Sequence, residues 1–247
     1  MQTLFISDLH LCNERPEKLT LFKKLLCGPA RKANALYILG DLFETWAGDD
    51  DNTPPYPDII SELAGFTAAG THLYIMRGNR DYLLGQDFAG KIGGQLINDP
   101  TIIELYGKKT LLMHGDTLCT KDIGYQFYRR LVNNTFAIKL FLAIPFFLRV
   151  KIWNGIRDII RKIARNKSPY MTDVHQPAVE DIMRYYGVFE LIHGHTHRQA
   201  IHEFTLNGQL ARRLVLGDWY EGDCILVSDG TGLHMMRIQE YLDRDKR

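Results

Sequence analysis

The chain reads as an α/β fold, and three observations predict it. Five short apolar runs rich in β-formers, TLFIS (3–7), ALYIL (35–39), HLYIM (72–76), TLLMH (110–114) and ELIH (190–193), are bounded by Gly, Asp or Asn, the marks of buried strands. Helical patterns fall between several of them, as at Leu19–Leu26 and Ile59–Ala69, and such alternation points to a mixed or parallel sheet. The third observation is size. A chain of 247 residues and 28.5 kDa buries a large core within one domain, so a single domain over 1–247 is expected.

After His197 the pattern changes to strands alone, QAIHEFTL, RRLVLG, CILVS and LHMMRI, which predicts a second sheet packed on the first. The segment from about 125 to 167 reads as an inserted helical cap, with Pro145 and Gly155 expected to break it into pieces. The tail YLDRDKR is expected to be solvated.

Composition excludes several classes. With 45% hydrophobic and 24% charged residues and a net charge of +1, the chain has no global basic surface for nucleic acid. Cys12, Cys27, Cys119 and Cys224 form no CxxC pair and suggest reduced thiols in a cytosolic protein. The start MQTLFISDLHL lacks the features of a signal peptide, so a cytoplasmic location is expected. The near-neutral total hides an asymmetry. From Tyr125 to Lys167 there are ten Lys or Arg and one acid, Asp158, a local charge of +9 that leaves −8 for the rest. The same segment holds the most apolar run, Phe136 to Trp153, interrupted by Lys139 and Pro145 and shorter than the roughly 20 clean apolar residues of a membrane span.

Chemistry gathers where strands hand over to loops. SDLHL supplies Asp8 and His10, GDLFE Asp41, RGNRD Asn79, Arg80 and Asp81, MHGD His114 and Asp116, and HGHTH His195 and His197. Ligands of open α/β sheets bind at the carboxyl ends of strands. Singly, a Gly-Asp after a strand is more often a turn, and a lone His more often a packed core residue. Five strand ends all offering Asp, His or Asn are not explained by turns alone. The set is imidazole, carboxylate and amide without thiolate, which suits Mn, Fe, Zn or Co. Seven ligands are too many for one catalytic ion with an open position. Two ions sharing a carboxylate about 3.5–4 Å apart satisfy the count and form an arrangement for in-line attack at phosphorus, with no protein nucleophile required.

The ordered set DxH…GD…GNxD…H…GHxH resembles the calcineurin-like metallophosphoesterase superfamily over most of the chain. The details SDLHL, YILGDLFE, GNRDYLLG, MHGDTLCT and IHGHTHR resemble its UDP-2,3-diacylglucosamine hydrolase branch, of lipid A biosynthesis. The resemblance implies a four-layer α/β/β/α sandwich with a helical cap, and hydrolysis of a lipid-linked nucleotide sugar by water attack at the α-phosphorus, giving UMP and 2,3-diacylglucosamine 1-phosphate (lipid X). It implies a manganese pair and a peripheral protein on the cytoplasmic face of the bacterial inner membrane. By that resemblance Asp8, His10, Asp41 and His197 hold the first ion, and Asp41, Asn79, His114 and His195 the second. His193 is then a packing or supporting residue. Asn79, Arg80, Asp122, Lys167 and His195 match substrate-contacting positions. Ile160 and Ala164 stand where close relatives are usually polar, a departure on the cap.

Arg80 carries its own argument. Many members of the superfamily have His there, able to protonate a leaving alkoxide. An arginine keeps its proton, so it binds phosphate and is no general acid, and a leaving group that departs as a stable anion suits it. The cap fits a lipid substrate, its apolar residues lining an acyl trough or entering a bilayer surface and its basic residues meeting anionic head groups. The plainer reading is a lid packed on the core. Alternatives on the same scaffold are a phosphoprotein phosphatase, a cyclic-nucleotide phosphodiesterase or a nuclease. A non-catalytic binding module would show lost ligands, and none of the seven is missing. Nothing demands a dimer, so a monomer is expected.

Overall fold

The computed structural model describes residues 2–165, 173–220 and 222–244, with the side chains of 158–161 and 163–165 outside the description. In chain order the first elements are β1 (Thr3–Ile6), α1 (Pro16–Cys27), β2 (Ala35–Leu39), α2 (Tyr56–Ala68), β3 (His72–Met76), α3 (Gln86–Lys91), β4 (Gln95–Ile97), β5 (Thr101–Leu105) and β6 (Lys108–Met113). Three cap helices follow, α4 (Ile123–Val132), α5 (Thr135–Leu142) and α6 (Phe146–Arg165). Then come α7 (Gln176–Tyr186), β7 (Glu190–His193), β8 (Ala200–Leu206), β9 (Gln209–Val215), β10 (Cys224–Asp229), β11 (Gly232–Arg237) and α8 (Ile238–Arg244).

The strands form two sheets, ordered β11–β10–β1–β2–β3–β4 and β5–β6–β7–β9–β8. Side chains alternate faces along a strand, and the core divides accordingly. Leu4 and Ile6 of β1, Leu36 and Ile38 of β2, and Leu73 and Ile75 of β3 face the helices α1, α2 and α8. Phe5, Leu39 and Met76 turn the other way and meet Leu112, Ile192 and Leu214 of the second sheet. Leu111, Met113 and Leu191 face Val179 and Met183 of α7. The result is the four-layer α/β/β/α sandwich the sequence predicts.

Three expectations need correction. The late strands do not make a sheet of their own: β8 and β9 extend the second sheet, whereas β10 pairs antiparallel with β1 (Thr3↔Ser228) and carries β11 with it. Apolar periodicity marks a buried strand but says nothing of which neighbour its backbone bonds will choose. Gly155 does not interrupt the cap, since α6 runs through it; one helical glycine costs only about 1 kcal/mol against alanine. The start of the tail is not solvated either, because Ile238, Tyr241 and Leu242 of α8 are buried against the first core.

Among the described residues, polar contacts tie the cap to the body at two places. Arg149, 2% exposed, donates to Asp50 and to the Ala47 carbonyl, and Trp153 packs edge-on against Tyr82. Asp116 accepts from Arg129 Nε (2.6 Å) and the Tyr125 hydroxyl (2.8 Å) of α4. Val132, Ile138 and Phe141 face inward, so part of the cap packs as a lid. The rest does not. Ile123 and Phe127, 78% and 72% exposed, form with Leu131 an apolar stripe at every fourth position of α4, and Phe136, Leu140 and Phe147 continue it outward. No helix among the described residues is long and apolar enough to cross a membrane.

Candidate metal centre

Five strands end at one edge of the two sheets. β1, β2 and β3 lead into Asp8 and His10, Asp41, and Asn79 and Arg80, while β6 and β7 lead into His114, His195 and His197. Leaving a strand and doubling back over its end requires an unusual backbone, and Asp8, His10, Asp41, His195 and His197 all have positive φ, between 48° and 70°. Such conformations cost of order 1–3 kcal/mol each and persist where the surroundings over-determine them. Glycines provide the clearance. A Cβ on Gly78 would lie 2.1 Å from Asp41 Oδ1, and one on Gly194 would lie 1.9 Å from Ser7 Oγ and 2.3 Å from Asp8 Oδ2.

The side chains converge. His10 Nε2 and His197 Nε2 are 3.3 Å apart, and Asp8 Oδ1 lies 3.4 Å from the latter. The Asp41 carboxylate sits between His10 Nε2 and His114 Nε2, 3.8 Å from each, and Asn79 Oδ1 is 3.0 Å from His114 Nε2. The His195 ring is 5.0 Å from that of His114, and its backbone N–H donates to Asp8 Oδ2. Ligand atoms of Asp8, His10 and His197 fall within 4.8 Å of one another, as do those of Asp8, Asp41 and His114.

A divalent pair fits this arrangement. His114 Nδ1 donates to the Leu39 carbonyl (2.9 Å) and His197 Nδ1 to Asp218 Oδ2 (2.8 Å), which leaves each Nε2 as a lone pair when the ring is neutral. The His114 lone pair then faces the Asn79 oxygen, an acceptor-to-acceptor contact that a proton or a cation relieves, and the His197 lone pair faces His10 Nε2. Asp8 Oδ1 is buried without a hydrogen-bond donor. Without a cation the rings borrow protons. Burial opposes charge on His114, but Asp41, Asp116 and Asp8 lift its pKa to about 9. Burial likewise opposes charge on His197, but Asp218 and Asp8 lift it to about 10. Burial pushes Asp8 up, yet His197 and His114 hold it well below the usual carboxylate range. His195 behaves oppositely, lowered to about 4 by burial and the neighbouring His114 charge.

The remaining candidates take varied places. Arg80 donates its backbone N–H to Asp41 Oδ1 (2.8 Å), and its guanidinium lies 3.8 Å from Glu44. Asp81 accepts from the N–H groups of Leu42, Phe43 and Gly78 and so pins the Asp41 and Asn79 loops together. His193 is fully buried, donating from Nδ1 to the Gly194 carbonyl and accepting from Arg213, and burial lowers it to about 3. Asp122 caps α4, accepting from the backbone N–H of Tyr125, whose ring stacks on His195. Lys167 lies outside the described residues, as do the side chains of Ile160 and Ala164.

Sequence reasoning missed a supporting layer. Glu44 lies 3.4 Å from His10 Nδ1, accepts from the Tyr220 hydroxyl (2.9 Å) and is lowered to about 2, burial being outweighed by His10 and Arg80. Asp218 holds His197. A signal existed, since Gly217-Asp218 follows β9 as Gly40-Asp41 follows β2.

The calcineurin-like phosphoesterase family model matches residues 1–199. Proteins named UDP-2,3-diacylglucosamine hydrolase are close in sequence: that of Aeromonas salmonicida (strain A449) is 47% identical over 92% of this chain and 89% of its own, and that of Pseudomonas putida (strain KT2440) 47% identical over 94% and 97%. The Escherichia fergusonii protein of that name is 47% identical over 92% of this chain and 95% of its own. With the family model covering most of its length, this chain belongs to the calcineurin-like phosphoesterase family.

Proposed function

We propose that the protein hydrolyses the pyrophosphate bond of UDP-2,3-diacylglucosamine by water attack at the α-phosphorus, releasing UMP and 2,3-diacylglucosamine 1-phosphate. The observation that carries this reading is the juxtaposition of two adjoining groups of residues able to hold metal ions, an arginine beside them and a cap with an outward apolar stripe. The names of the relatives support the same substrate.

Two Mn²⁺ ions are the proposed cofactors, the first on Asp8, His10, Asp41 and His197, the second on Asp41, Asn79, His114 and His195. When bound, such ions supply a nucleophilic water at neutral pH and neutralise phosphoryl charge. The chain does the rest. Asn79, His195 and Arg80 orient the diphosphate, and Arg80 stabilises charge as the sugar phosphate leaves. That leaving group is a stable anion and needs no general acid, which suits a residue that does not give up its proton. Asp122 and Lys167 contact the substrate. The cap, an insertion in a single domain, binds acyl chains and rests on the cytoplasmic face of the inner membrane, where basic residues meet anionic lipid. The protein acts as a monomer and takes no nucleic acid.

The test is incubation of metal-stripped protein with Mn²⁺ and UDP-2,3-diacylglucosamine in ¹⁸O-water. Label in UMP, with unlabelled lipid X, is the expected result. No turnover, with brisk hydrolysis of simple phosphodiesters under the same metal, would move the protein to another phosphodiesterase activity on the same fold.

A further inference from the structure

Among the candidate ligands, His197 is the one whose orientation packing does not explain. The side chains of His10 and His114 are 2% and 1% exposed, whereas that of His197 is 36% exposed. Its ring neighbours are Tyr220, stacked at 6.3 Å between centroids, and His10, tilted at 5.2 Å, and its Nε2 faces the candidate ligands His10 and Asp8. Its shortest contact, and the one on the side away from those ligands, is the 2.8 Å approach of Nδ1 to Asp218 Oδ2. Asp218 is itself firmly set. The next residue, Trp219, is fully buried, its ring edge-on to Phe22 and its backbone N–H donating to the Asp8 carbonyl at 3.2 Å. With Trp219 anchored in the core, its neighbours on either side turn to the site, Asp218 to His197 and Tyr220 to Glu44.

We propose that Asp218 is the positioning residue of the metal position shared by His10 and His197: it fixes the His197 ring with Nε2 toward the ion, and its negative charge makes that nitrogen a stronger donor. The inference rests on the two-ion reading above. It also sets the two positions apart. The outer nitrogen of His114 donates to a backbone carbonyl, that of Leu39, which no substitution of that residue's side chain removes. His197 depends on a side chain, so one substitution reaches one ion. Carboxylates behind ligating histidines typically contribute about 10–100-fold in metal affinity.

The experiment titrates Mn²⁺ into metal-stripped wild type, Asp218→Asn and Asp218→Ala, following heat by calorimetry and the Mn²⁺ spectrum by electron paramagnetic resonance. Wild type is expected to bind two ions with the multiline spectrum of a coupled pair. Asp218→Ala is expected to bind one ion as wild type does and the other about 10–100-fold more weakly, the coupled spectrum giving way to that of a single ion. Asp218→Asn keeps an acceptor oxygen but not the charge and should fall between. Should the alanine variant fail to fold, the asparagine variant decides on the same readout. Two ions bound as tightly as in wild type, or both weakened alike, would overturn the assignment. Fewer than two ions in wild type itself would instead overturn the two-ion reading, and this inference with it.

Discussion

Replacing Gly194 with alanine should disable the site while leaving the fold standing. The added Cβ would lie 1.9 Å from Ser7 Oγ and 2.3 Å from Asp8 Oδ2, some 1.5 Å and 1.1 Å inside the 3.4 Å at which ordinary contact begins. Both neighbours are fully buried, so neither has empty space to enter. Asp8 is further bound by the Ser7 hydroxyl at 2.5 Å and the His195 N–H at 2.8 Å. The strain therefore passes into the candidate ligand set as a displacement of about 1 Å, several times the roughly 0.2 Å tolerance of metal–ligand distances. Overpacking of this kind costs about 1–3 kcal/mol of stability, while a misplacement of about 1 Å costs about 100-fold in rate. The assay is kcat/KM on UDP-2,3-diacylglucosamine beside a thermal melt. Gly187→Ala is the control: Gly187 has φ 64° with nothing within 4 Å, so alanine there costs only about 1–2 kcal/mol of backbone strain and no activity. Wild-type turnover in Gly194→Ala, or an equal loss in both variants, would refute the reasoning.

Other outcomes follow from the same geometry. His114 and His197 are raised to about 9 and about 10 without metal, so Mn²⁺ must displace protons near pH 7.5; calorimetry in buffers of different ionisation enthalpy should show their release, and none would contradict it. The same shifts mean that the stability these two groups lend the metal-free protein is full below their unfolded pKa of about 6.5. It is lost as pH rises through 9 to 10, visible as a falling melting temperature in chelator. Arg149→Ala removes a buried anchor bonded to Asp50 and Ala47; Asp50 is 58% exposed and is not left as a buried charge, so the cost should be that of the lost hydrogen bonds, about 1.5–3 kcal/mol. Hydrogen exchange should then quicken in α4–α6 and not in β1 or β2; unchanged cap protection would refute the anchor. Phe127→Ser, at a position 72% exposed, should leave the melting temperature unchanged and weaken binding to anionic vesicles by about 1 kcal/mol, roughly fivefold. Unaltered vesicle binding would count against the membrane reading.

What the sequence determined by itself is whatever a short segment encodes locally. Strand runs such as ALYIL and HLYIM declare themselves because alternating apolar side chains serve two cores at once, Leu36 and Leu73 toward helices, Leu39 and Met76 toward the opposite sheet. The candidate residues Asp8, His10, Asp41, Asn79, His114, His195 and His197 were legible because each sits just beyond such a strand, where a parallel sheet delivers its loops. Tertiary structure decided what depends on residues far apart in the chain. Which sheet would take β10 was a choice of hydrogen-bond partner, invisible to periodicity. Whether the cap's apolar residues faced the core or the outside hung on how Arg149 and Asp116 tether it. Asp218 carries no local mark beyond a Gly-Asp turn, and its importance comes from His197, 21 residues earlier, swinging into its reach. Local propensity places a residue on a strand or a loop; only the packing of the whole chain brings two loops within 3 Å of each other.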